Sequence, residues 1–261
     1  MSSNHVKRLR VFAGPNGSGK STIIKEIRKK GTPDLGLYIN ADDLARELQV
    51  QSFTFSDWNM EISGQDFLGQ LEDNTLISKN YSGTPFSESF KIVNNRIELK
   101  SVKDVESFAQ ILAEFLRIQC LERGDKFSFE TVFSHPSKVE WMRMATEKGY
   151  KVYFYFVSTE SPEINKARVQ NRVLQGGHDV PGEKIEQRYH RSLDLLHDAC
   201  QFAYQAYFFD TSKDSVKSRY ELFAHFKREA SIPKWDEFKN PEIVPNWFIK
   251  YFIDKEYYKK K

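Results

Sequence analysis

The sequence contains few cysteines and no long apolar segment. Its 261 residues include two cysteines, Cys120 and Cys200, and these do not form a C-x-x-C pair. We therefore expect neither a structural disulfide nor a cysteine metal site, which fits a reducing cytosol. No run approaches the roughly 18 consecutive apolar residues that a membrane helix needs, and the first residues lack the pattern of a signal peptide. These absences predict a soluble, cytoplasmic protein with no membrane partner.

The sequence also lacks an excess of charge of either sign. Its 39 Lys and Arg residues nearly balance 36 Asp and Glu residues, which leaves a formal net charge of +3. Dedicated nucleic-acid binders usually carry a basic stripe, so this balance argues against nucleic acid as a partner. Aromatic residues are abundant by contrast, with 21 Phe and 12 Tyr. They predict a core built on large flat side chains, in a chain long enough for one large domain.

The order of predicted strands and helices is typical of an α/β fold. A strand over residues 7–13 runs into a glycine-rich loop, and a helix follows over 18–30. Further strands are predicted at 35–40, 126–133, 151–159 and 203–210, and further helices at 41–49, 101–123, 136–149, 162–175 and 183–199. Alternation of this kind predicts a doubly wound parallel sheet of the P-loop NTPase type, with helices on its faces.

Two segments fall outside the alternating pattern. Residues from about 50 to 100 are rich in Ser, Asn, Asp and Gly, yet they carry scattered Phe and Trp residues that need burial. We interpret this segment as an insertion with a hairpin around Phe90 to Leu99; the alternative is a mobile, partly ordered flap. Ser101 and Asp104 are candidate caps for the helix that follows. The domain prediction is a P-loop domain over 1–215 and a C-terminal extension over 216–261.

The strongest motif is GPNGSGKST at residues 14–22, a full match to G-x-x-x-x-G-K-[ST]. Glycines let the backbone curl so that its N–H groups point at phosphate oxygens, and the following helix adds its positive N-terminal end. In this pattern Lys20 reaches the β- and γ-phosphates of ATP, and the Ser21 hydroxyl binds Mg²⁺. The predicted nucleotide-binding residues are Gly14, Pro15, Asn16, Gly17, Ser18, Gly19, Lys20, Ser21 and Thr22.

Acidic residues at the ends of two predicted strands are candidates for the chemistry. Asp42 and Asp43 follow the strand over 35–40, and the carboxyl ends of parallel strands open onto the ligand crevice. Asp42 there can accept the proton of an attacking hydroxyl, with Asp43 as the alternative and as a substrate contact; a purely structural helix cap is the competing interpretation. Glu130 and Thr131 close another strand. We predict that Glu130 binds Mg²⁺ and that both residues contact the substrate.

A basic segment farther along the chain has the features of a lid. Arg168 and Arg172 can share one helical face, and a glycine pair at 176–177 allows a hinge. Arginines that close over ATP neutralise charge on the transferring phosphoryl group, although a solvated basic helix is the alternative. His178 has no partner at chelating spacing and is not expected to bind a metal. Asp210, after the last core strand, is predicted to contact the nucleotide.

What surrounds the loop argues against a transporter ATPase and disfavours an ATPase motor or switch. The segment ISGQD at 62–66 is similar to the LSGGQ signature of transporter ATPases, but it lacks the second glycine and lies too close to the P-loop. No apolar strand ending in Asp-Glu follows it. The same acidic motif is characteristic of ATPase motors, so its absence favours a kinase over a motor or a switch.

Taken together, these motifs resemble the zeta toxin family of P-loop kinases. The resemblance rests on GPNGSGKST, NADD at 40–43, FETVFS at 129–134, RVQNRVLQGGHDVP at 168–181, QRY at 187–189 and the strand that ends in Asp210-Thr211-Ser212, in the family's order. The best-known members phosphorylate the 3′-hydroxyl of the amino sugar of UDP-N-acetylglucosamine and are blocked by a small antitoxin. The resemblance therefore implies ATP, Mg²⁺, a small-molecule hydroxyl substrate and an antitoxin partner.

The same resemblance assigns roles to individual residues. Asp42 is similar to the family's general base, Lys20 and Ser21 to its phosphate and Mg²⁺ ligands, and Glu130 to the acid that contacts substrate. Arg168 and Arg172 are similar to its ATP-facing arginines. The toxins have Gly-Thr and an arginine after that acid, whereas TVFS at 131–134 supplies no arginine here. Alternatives from the residues are a kinase for a nucleotide, NAD or polynucleotide hydroxyl, or a nucleotide-gated interaction protein.

Overall fold

The computed structural model describes residues 6–50, 52–72, 74–81, 83, 85–100, 105–177, 179–213, 220–236 and 244–259. The chain divides into two compact units: unit 1 comprises residues 1–36 and 128–261, and unit 2 comprises residues 37–127. Ser101, Asp104 and His178 lie outside the described residues. The boundaries proposed from sequence, an insertion at about 50–100 and an extension from 216, stay predictions.

The strands and helices follow the predicted order closely. The strands are β1 (Arg8–Ala13), β2 (Leu37–Ile39), β3 (Phe53–Thr54), β4 (Phe90–Val93), β5 (Arg96–Leu99), β6 (Phe127–Thr131), β7 (Lys151–Ser158), β8 (Gln205–Asp210), β9 (Glu221–Glu229) and β10 (Ile232–Trp235). The helices are α1 (Lys20–Lys30), α2 (Ala41–Val50), α3 (Gly64–Gly69), α4 (Thr75–Asn80), α5 (Val105–Arg123), α6 (Ser137–Glu147), α7 (Pro162–Leu174), α8 (Gly182–Asp194), α9 (Leu196–Cys200), α10 (Asn246–Phe248) and α11 (Asp254–Lys259), with a π-helical turn over Ile249–Ile253.

One predicted helix is divided. The sequence predicts a single helix over 183–199, whereas the structure has α8 and α9 with Leu195 between them. Leu195 keeps helical dihedral angles, so the chain bends there without leaving the helical region of backbone space. No glycine or proline marks the bend, which explains why the pattern of apolar residues runs through it without interruption.

The sheet of unit 1 is mixed but predominantly parallel, which confirms the predicted α/β P-loop fold. Its strands lie in the order β10-β9-β8-β7-β1-β6. β1 pairs in parallel with β7, and β7 pairs in parallel with β8, while β9 and β10 add an antiparallel edge. β7 and the end of β1 are largely apolar because both of their faces are covered, although Arg8 and Arg10 interrupt the start of β1. Leu9, Val11 and Phe154 are accordingly fully buried.

The segment formed by α10 and the π-helical turn adds aromatic side chains to the core of unit 1. Trp247 and Phe248 of α10 are buried, and Phe248 lies 4.8 Å from Phe208 of β8 between ring centroids. Phe252 of the π-helical turn stacks on Phe248 at the same separation. Residues 247–252 therefore belong to the packing of the sheet. No helix within the described ranges is both long enough and apolar enough to span a membrane.

Unit 2 has a core of its own, centred on Phe67 of α3. This ring is fully buried and lies 4.7 Å from Phe115 and 5.2 Å from Phe90. The rings around it are those of Phe55, Phe86, Phe90, Phe108 and Phe115. Offset and edge-to-face aromatic pairs of this kind add to the stabilisation that area burial provides. The phenylalanines that are scattered between about residues 50 and 100 are thus buried in the core of unit 2.

The predicted hairpin near residues 90–99 is present as β4 and β5. Its turn, Asn94-Asn95, has positive φ at both residues, which is what a two-residue turn between twisted strands requires. The Asn95 side chain accepts a hydrogen bond from the Ile62 backbone N–H at 2.9 Å and donates one to the Met60 carbonyl at 2.6 Å. The Phe55 N–H donates to the Asn95 carbonyl at 3.0 Å. One turn residue therefore fastens the hairpin to the preceding segment.

We expect Phe67→Ala to lower the free energy of unfolding by about 3–5 kcal/mol, because the substitution leaves a cavity among five other rings. Urea denaturation followed by fluorescence measures the change. Val93→Ala is the control in the same unit, since this side chain is 44% exposed and should cost less than about 0.5 kcal/mol. Similar losses for both variants would contradict a core centred on Phe67.

Candidate active site

The loop between β1 and α1 has the backbone that its sequence predicts. Gly14, Gly17 and Gly19 all have positive φ, and α1 begins directly after Gly19. A Cβ on Gly14 would lie 2.0 Å from the Val157 carbonyl oxygen of β7, and one on Gly17 would lie 2.6 Å from the Asn165 carbonyl oxygen of α7. Only glycine permits these approaches. The loop is therefore pressed against two neighbouring elements of unit 1.

Lys20 lies within the curve of this loop. Its ammonium group donates to the carbonyl oxygens of Gly14 and Pro15, each at 2.9 Å, and the residue is 6% exposed. A buried ammonium needs such partners, because an unpaired one would carry a large desolvation cost. The geometry holds a positive charge beside backbone that can present N–H groups to an anion.

Ser21 and Glu130 meet in unit 1, as the predicted metal pair requires. The Ser21 hydroxyl donates to the Glu130 carboxylate, at 3.1 Å from Oε1 and 3.3 Å from Oε2. Ser21 is the second residue of α1, and Glu130 stands near the end of β6. Hydroxyl and carboxylate oxygens are the ligands that Mg²⁺ prefers. The donor set therefore fits the cation that the P-loop motif implies.

Thr131, the next predicted site residue, takes part in a tight turn after β6. Its hydroxyl accepts a hydrogen bond from the Phe133 N–H at 3.2 Å. Phe133 has φ +60° and is fully buried, with its ring 5.2 Å from that of Phe154. A bulky residue in the left-handed region is uncommon and is kept there by surrounding structure. The substrate contact predicted for Thr131 stays a prediction.

A buried asparagine that the sequence analysis did not single out fastens α7 to the loop. The side-chain amide N–H of Asn165 donates to the Asn16 carbonyl at 2.6 Å. The side-chain oxygen of Asn165 accepts a hydrogen bond from the Thr159 hydroxyl. Tyr189 of α8 donates to the Thr159 carbonyl at 2.7 Å. Burial raises the pKa of the Tyr189 hydroxyl, because a buried phenolate would be poorly solvated. No local pattern in the sequence of α7 marks this role, because the partner Asn16 lies 149 positions away.

Arg168 of α7 is placed at the loop by a threonine. Its guanidinium donates to the Thr211 hydroxyl at 3.0 Å and to the Thr211 carbonyl at 2.6 Å. The same hydroxyl donates to the Ser18 carbonyl of the loop at 2.8 Å. Thr211 thus bridges Arg168 and the loop. Its neighbour Asp210, the residue predicted from sequence, points its carboxylate at Ser212 and Trp247 instead. Nucleotide contact by Asp210 stays a prediction.

Arg172 lies one helical turn after Arg168 and is exposed. The Gly177 N–H donates to the Arg172 carbonyl at 2.9 Å, and a Cβ on Gly177 would lie 2.6 Å from Arg172 Cγ. Gly177, the second residue of the predicted glycine pair, therefore packs against the stem of this arginine. Arg188 of α8 donates to the Asn16 side chain of the loop at 3.3 Å. Burial and the nearby Arg191 lower the pKa of Arg188, and a bound anion would oppose both effects.

Asp42 and Asp43 stand in the first turn of α2, in unit 2. The helix is capped by Asn40, whose side-chain oxygen accepts hydrogen bonds from the Asp42 N–H at 2.8 Å and the Asp43 N–H at 3.4 Å. Asp43 pairs with Arg46 at the surface. Within the described part of the chain the Asp42 carboxylate makes no hydrogen bond or ion pair. Helix capping therefore does not account for Asp42.

A phosphate-binding loop with a buried lysine, at the end of the first strand of a mixed α/β sheet, defines a P-loop NTPase-like protein. The comparison with protein families agrees with this class. Residues 9–196 match the model of AAA_33, an AAA domain family. The match covers most of the chain, and the protein belongs to this family.

Solved structures are similar to this chain at low sequence identity. A chain of the AvrRxo1-ORF1:AvrRxo1-ORF2 complex with sulphate ions superimposes with a TM-score of 0.52 and 13% identity, over 92% of this chain and 63% of that chain. At this identity the likeness concerns the fold alone. A chain of the PezAT chromosomal toxin-antitoxin system of Streptococcus pneumoniae gives a TM-score of 0.49 and 13% identity, over 100% of this chain and 86% of that chain.

A relative by sequence is an uncharacterized protein of Haemophilus influenzae, which is 33% identical over 63 residues. The matched part is 24% of this chain and 45% of that protein, so the chain spans less than half of the relative's length. It also spans less than two thirds of the AvrRxo1 chain. The activity, substrate and partners of the protein are therefore matters of proposal.

Proposed function

We propose that the protein is an ATP-dependent phosphotransferase that moves the γ-phosphate of ATP to a hydroxyl group of a small molecule. The observation that carries the proposal is the Ser21–Glu130 contact at 3.1 Å, one residue after the buried Lys20. A phosphate-binding loop needs a lysine, whereas phosphoryl transfer needs metal-binding oxygens at the same place. The chain supplies both, and it supplies arginines at 168, 172 and 188 around the same loop or on adjoining helical turns.

The residues of the loop fit a nucleotide triphosphate with Mg²⁺. Cβ atoms at Gly14 and Gly17 would collide with β7 and α7, so glycine at both positions lets the loop keep its curve while it packs on these elements. Lys20 and the loop N–H groups would hold the phosphates, and Ser21 with Glu130 would hold Mg²⁺. When bound, Mg²⁺ offsets charge on the phosphate oxygens.

The transfer itself is an in-line displacement on the γ-phosphorus. A bond forms from the acceptor oxygen to phosphorus as the bond to the bridging oxygen of ADP breaks. In the proposal Asp42 accepts the proton of the hydroxyl, and Arg168 and Arg172 neutralise the charge that develops on the phosphoryl oxygens. Asp43 and Thr131 orient the acceptor. The carboxylate of Asp42, which takes no part in capping α2, suits a proton acceptor.

The first acceptor to test is UDP-N-acetylglucosamine, because the motif resemblance is to kinases of that sugar nucleotide. An antitoxin-type partner follows from the same resemblance and is likewise proposed. Expression of the chain alone in bacteria is the first test of this partner. If the intact chain slows growth and Lys20→Ala does not, the activity is toxic and an antitoxin is expected. Growth that is unaffected by the intact chain would argue against a toxin.

The proposal is tested by phosphoryl transfer from γ-labelled ATP with Mg²⁺ to a panel of acceptors headed by UDP-N-acetylglucosamine. Lys20→Ala should lower transfer by about 10²–10³-fold, the size of effect expected for one electrostatic stabiliser. Lys25→Ala is the matched control, since Lys25 lies exposed on the same helix. A labelled acceptor formed by wild type and by Lys25→Ala would support the proposal. Nucleotide binding with no transfer to any acceptor would contradict it and favour a nucleotide-gated binding protein.

A further inference from the structure

A chain of hydrogen bonds leads from the last helical segment to the turn after β8. The Trp247 indole N–H donates to the Asp210 carboxylate at 2.9 Å. The other oxygen of that carboxylate accepts from the Ser212 N–H at 2.9 Å, while the Ser212 hydroxyl accepts from the Glu160 N–H at 2.7 Å. The Glu160 carboxylate in turn accepts from the Asn246 N–H at 3.1 Å. The segment at 246–247 is thus tied to the turn on two sides.

Thr211, in the middle of that turn, contacts the P-loop at 14–22. Its hydroxyl donates to the Ser18 carbonyl, and its N–H donates to the Ser158 carbonyl of β7 at 3.0 Å. A Cβ on Gly19 would meet the Thr211 methyl group at 3.5 Å, which is ordinary van der Waals contact. The turn therefore lies directly against the residues that precede Lys20.

Arg168 depends on the same turn, because both of its terminal nitrogens donate to Thr211. A shift of the turn would move the loop at Ser18 and the guanidinium of Arg168 together. Two parts of the proposed nucleotide site thus share one support. The residues on either side of Thr211 hold this turn in place: Asp210 accepts a hydrogen bond from Trp247, and Ser212 accepts one from Glu160.

We propose that Trp247 is a positioning residue of the nucleotide site, acting through Asp210 and Thr211 on the P-loop and on Arg168. The inference rests on the proposed function, in that it takes the loop to bind nucleotide. Trp247 is held by packing independently of its hydrogen bond: it is 3% exposed, with rings of Phe156, Phe223 and Phe248 at 5.5–5.8 Å. The indole N–H therefore orients the turn, and the ring alone fills the core.

The test is the affinity for the non-hydrolysable analogue AMP-PNP with Mg²⁺, measured by calorimetry at a temperature where circular dichroism shows every variant folded. Trp247→Phe keeps an aromatic ring and removes the N–H. It should weaken binding by about 3- to 10-fold, because the lost hydrogen bond acts on the nucleotide only through Asp210 and Thr211 and so passes on part of its free energy. Trp235→Phe is the matched control, because Trp235 belongs to the same aromatic cluster, 6.3 Å from Phe248, and should bind within about twofold of wild type.

A double-mutant cycle separates positioning from general packing. Thr211→Val removes the hydroxyl that bridges Ser18 and Arg168 and should weaken binding at least as much as Trp247→Phe. If Trp247 acts through Thr211, the double variant binds as Thr211→Val does. Losses that multiply, or a Trp247→Phe variant with unchanged affinity, would overturn the inference. Wild-type protein that does not bind AMP-PNP would overturn the proposed function itself, which is a distinguishable result.

Discussion

Asp42→Asn is expected to abolish measurable phosphoryl transfer while leaving the affinity for ATP within a few-fold of wild type. The substitution keeps the shape of the side chain and removes its ability to accept a proton, and a general base is worth about 10²–10⁴-fold in rate. The fold should tolerate it, because Asn40 rather than Asp42 caps α2 and the Asp42 carboxylate forms no hydrogen bond within the described residues. Single-turnover transfer from γ-labelled ATP, together with calorimetric binding, measures both quantities.

Glu47→Gln is the control for this experiment, since Glu47 is another carboxylate of α2. Burial, and secondarily Asp57, raises the pKa of Glu47. A carboxyl group whose pKa is raised on folding favours the folded state less once it is ionised, so at neutral pH its neutral replacement should not destabilise the helix. Turnover by Glu47→Gln should match wild type. Near-normal turnover by Asp42→Asn would show that the base is misassigned, and Asp43 would become the next candidate.

The parts of the site that the sequence predicts are those set by local chemistry. The loop at 14–22 needs glycine at positive φ, and its pattern is the same in any chain that folds this way. The strand that precedes it, β1, was predictable because Leu9 and the apolar residues at 11–13 lead directly into this loop. Even the hairpin of unit 2 carries a local signal, the Asn94-Asn95 turn.

The residues that the sequence does not reveal are those whose role depends on distant partners. Asn165 contacts Asn16 and Thr211 contacts Ser18, and these pairs are separated by 149 and 193 positions. The sequence predicts a nucleotide contact at Asp210, which begins the loop after the last core strand, and the structure adds that the hydroxyl of the next residue, Thr211, donates to the P-loop at Ser18. Which of two consecutive side chains faces the loop is decided by the register of β8 against β7, which pairs Asp210 with Ser158. No local pattern states that register.

Gly14→Ala is expected to lower the free energy of unfolding by about 3 kcal/mol and to weaken nucleotide binding at least tenfold. The new Cβ would lie 2.0 Å from the Val157 carbonyl oxygen, and the backbone at φ +144° disfavours any other residue. Val157 cannot yield easily, since it is paired with Phe209 in the centre of the sheet. The loop must therefore move away from β7, and it takes with it the Gly14 carbonyl that accepts from Lys20.

Gly31→Ala separates the two causes of this effect. Gly31 ends α1 at φ +67° with nothing within 4 Å of its Cβ position, so alanine there carries the conformational cost alone, about 1 kcal/mol. Thermal unfolding and AMP-PNP binding of the two variants measure the difference. Close approach to β7 predicts that Gly14→Ala is the less stable and that Gly31→Ala keeps its nucleotide affinity. Equal losses of stability, with binding retained in both, would mean that backbone conformation and not contact with β7 selects glycine at position 14.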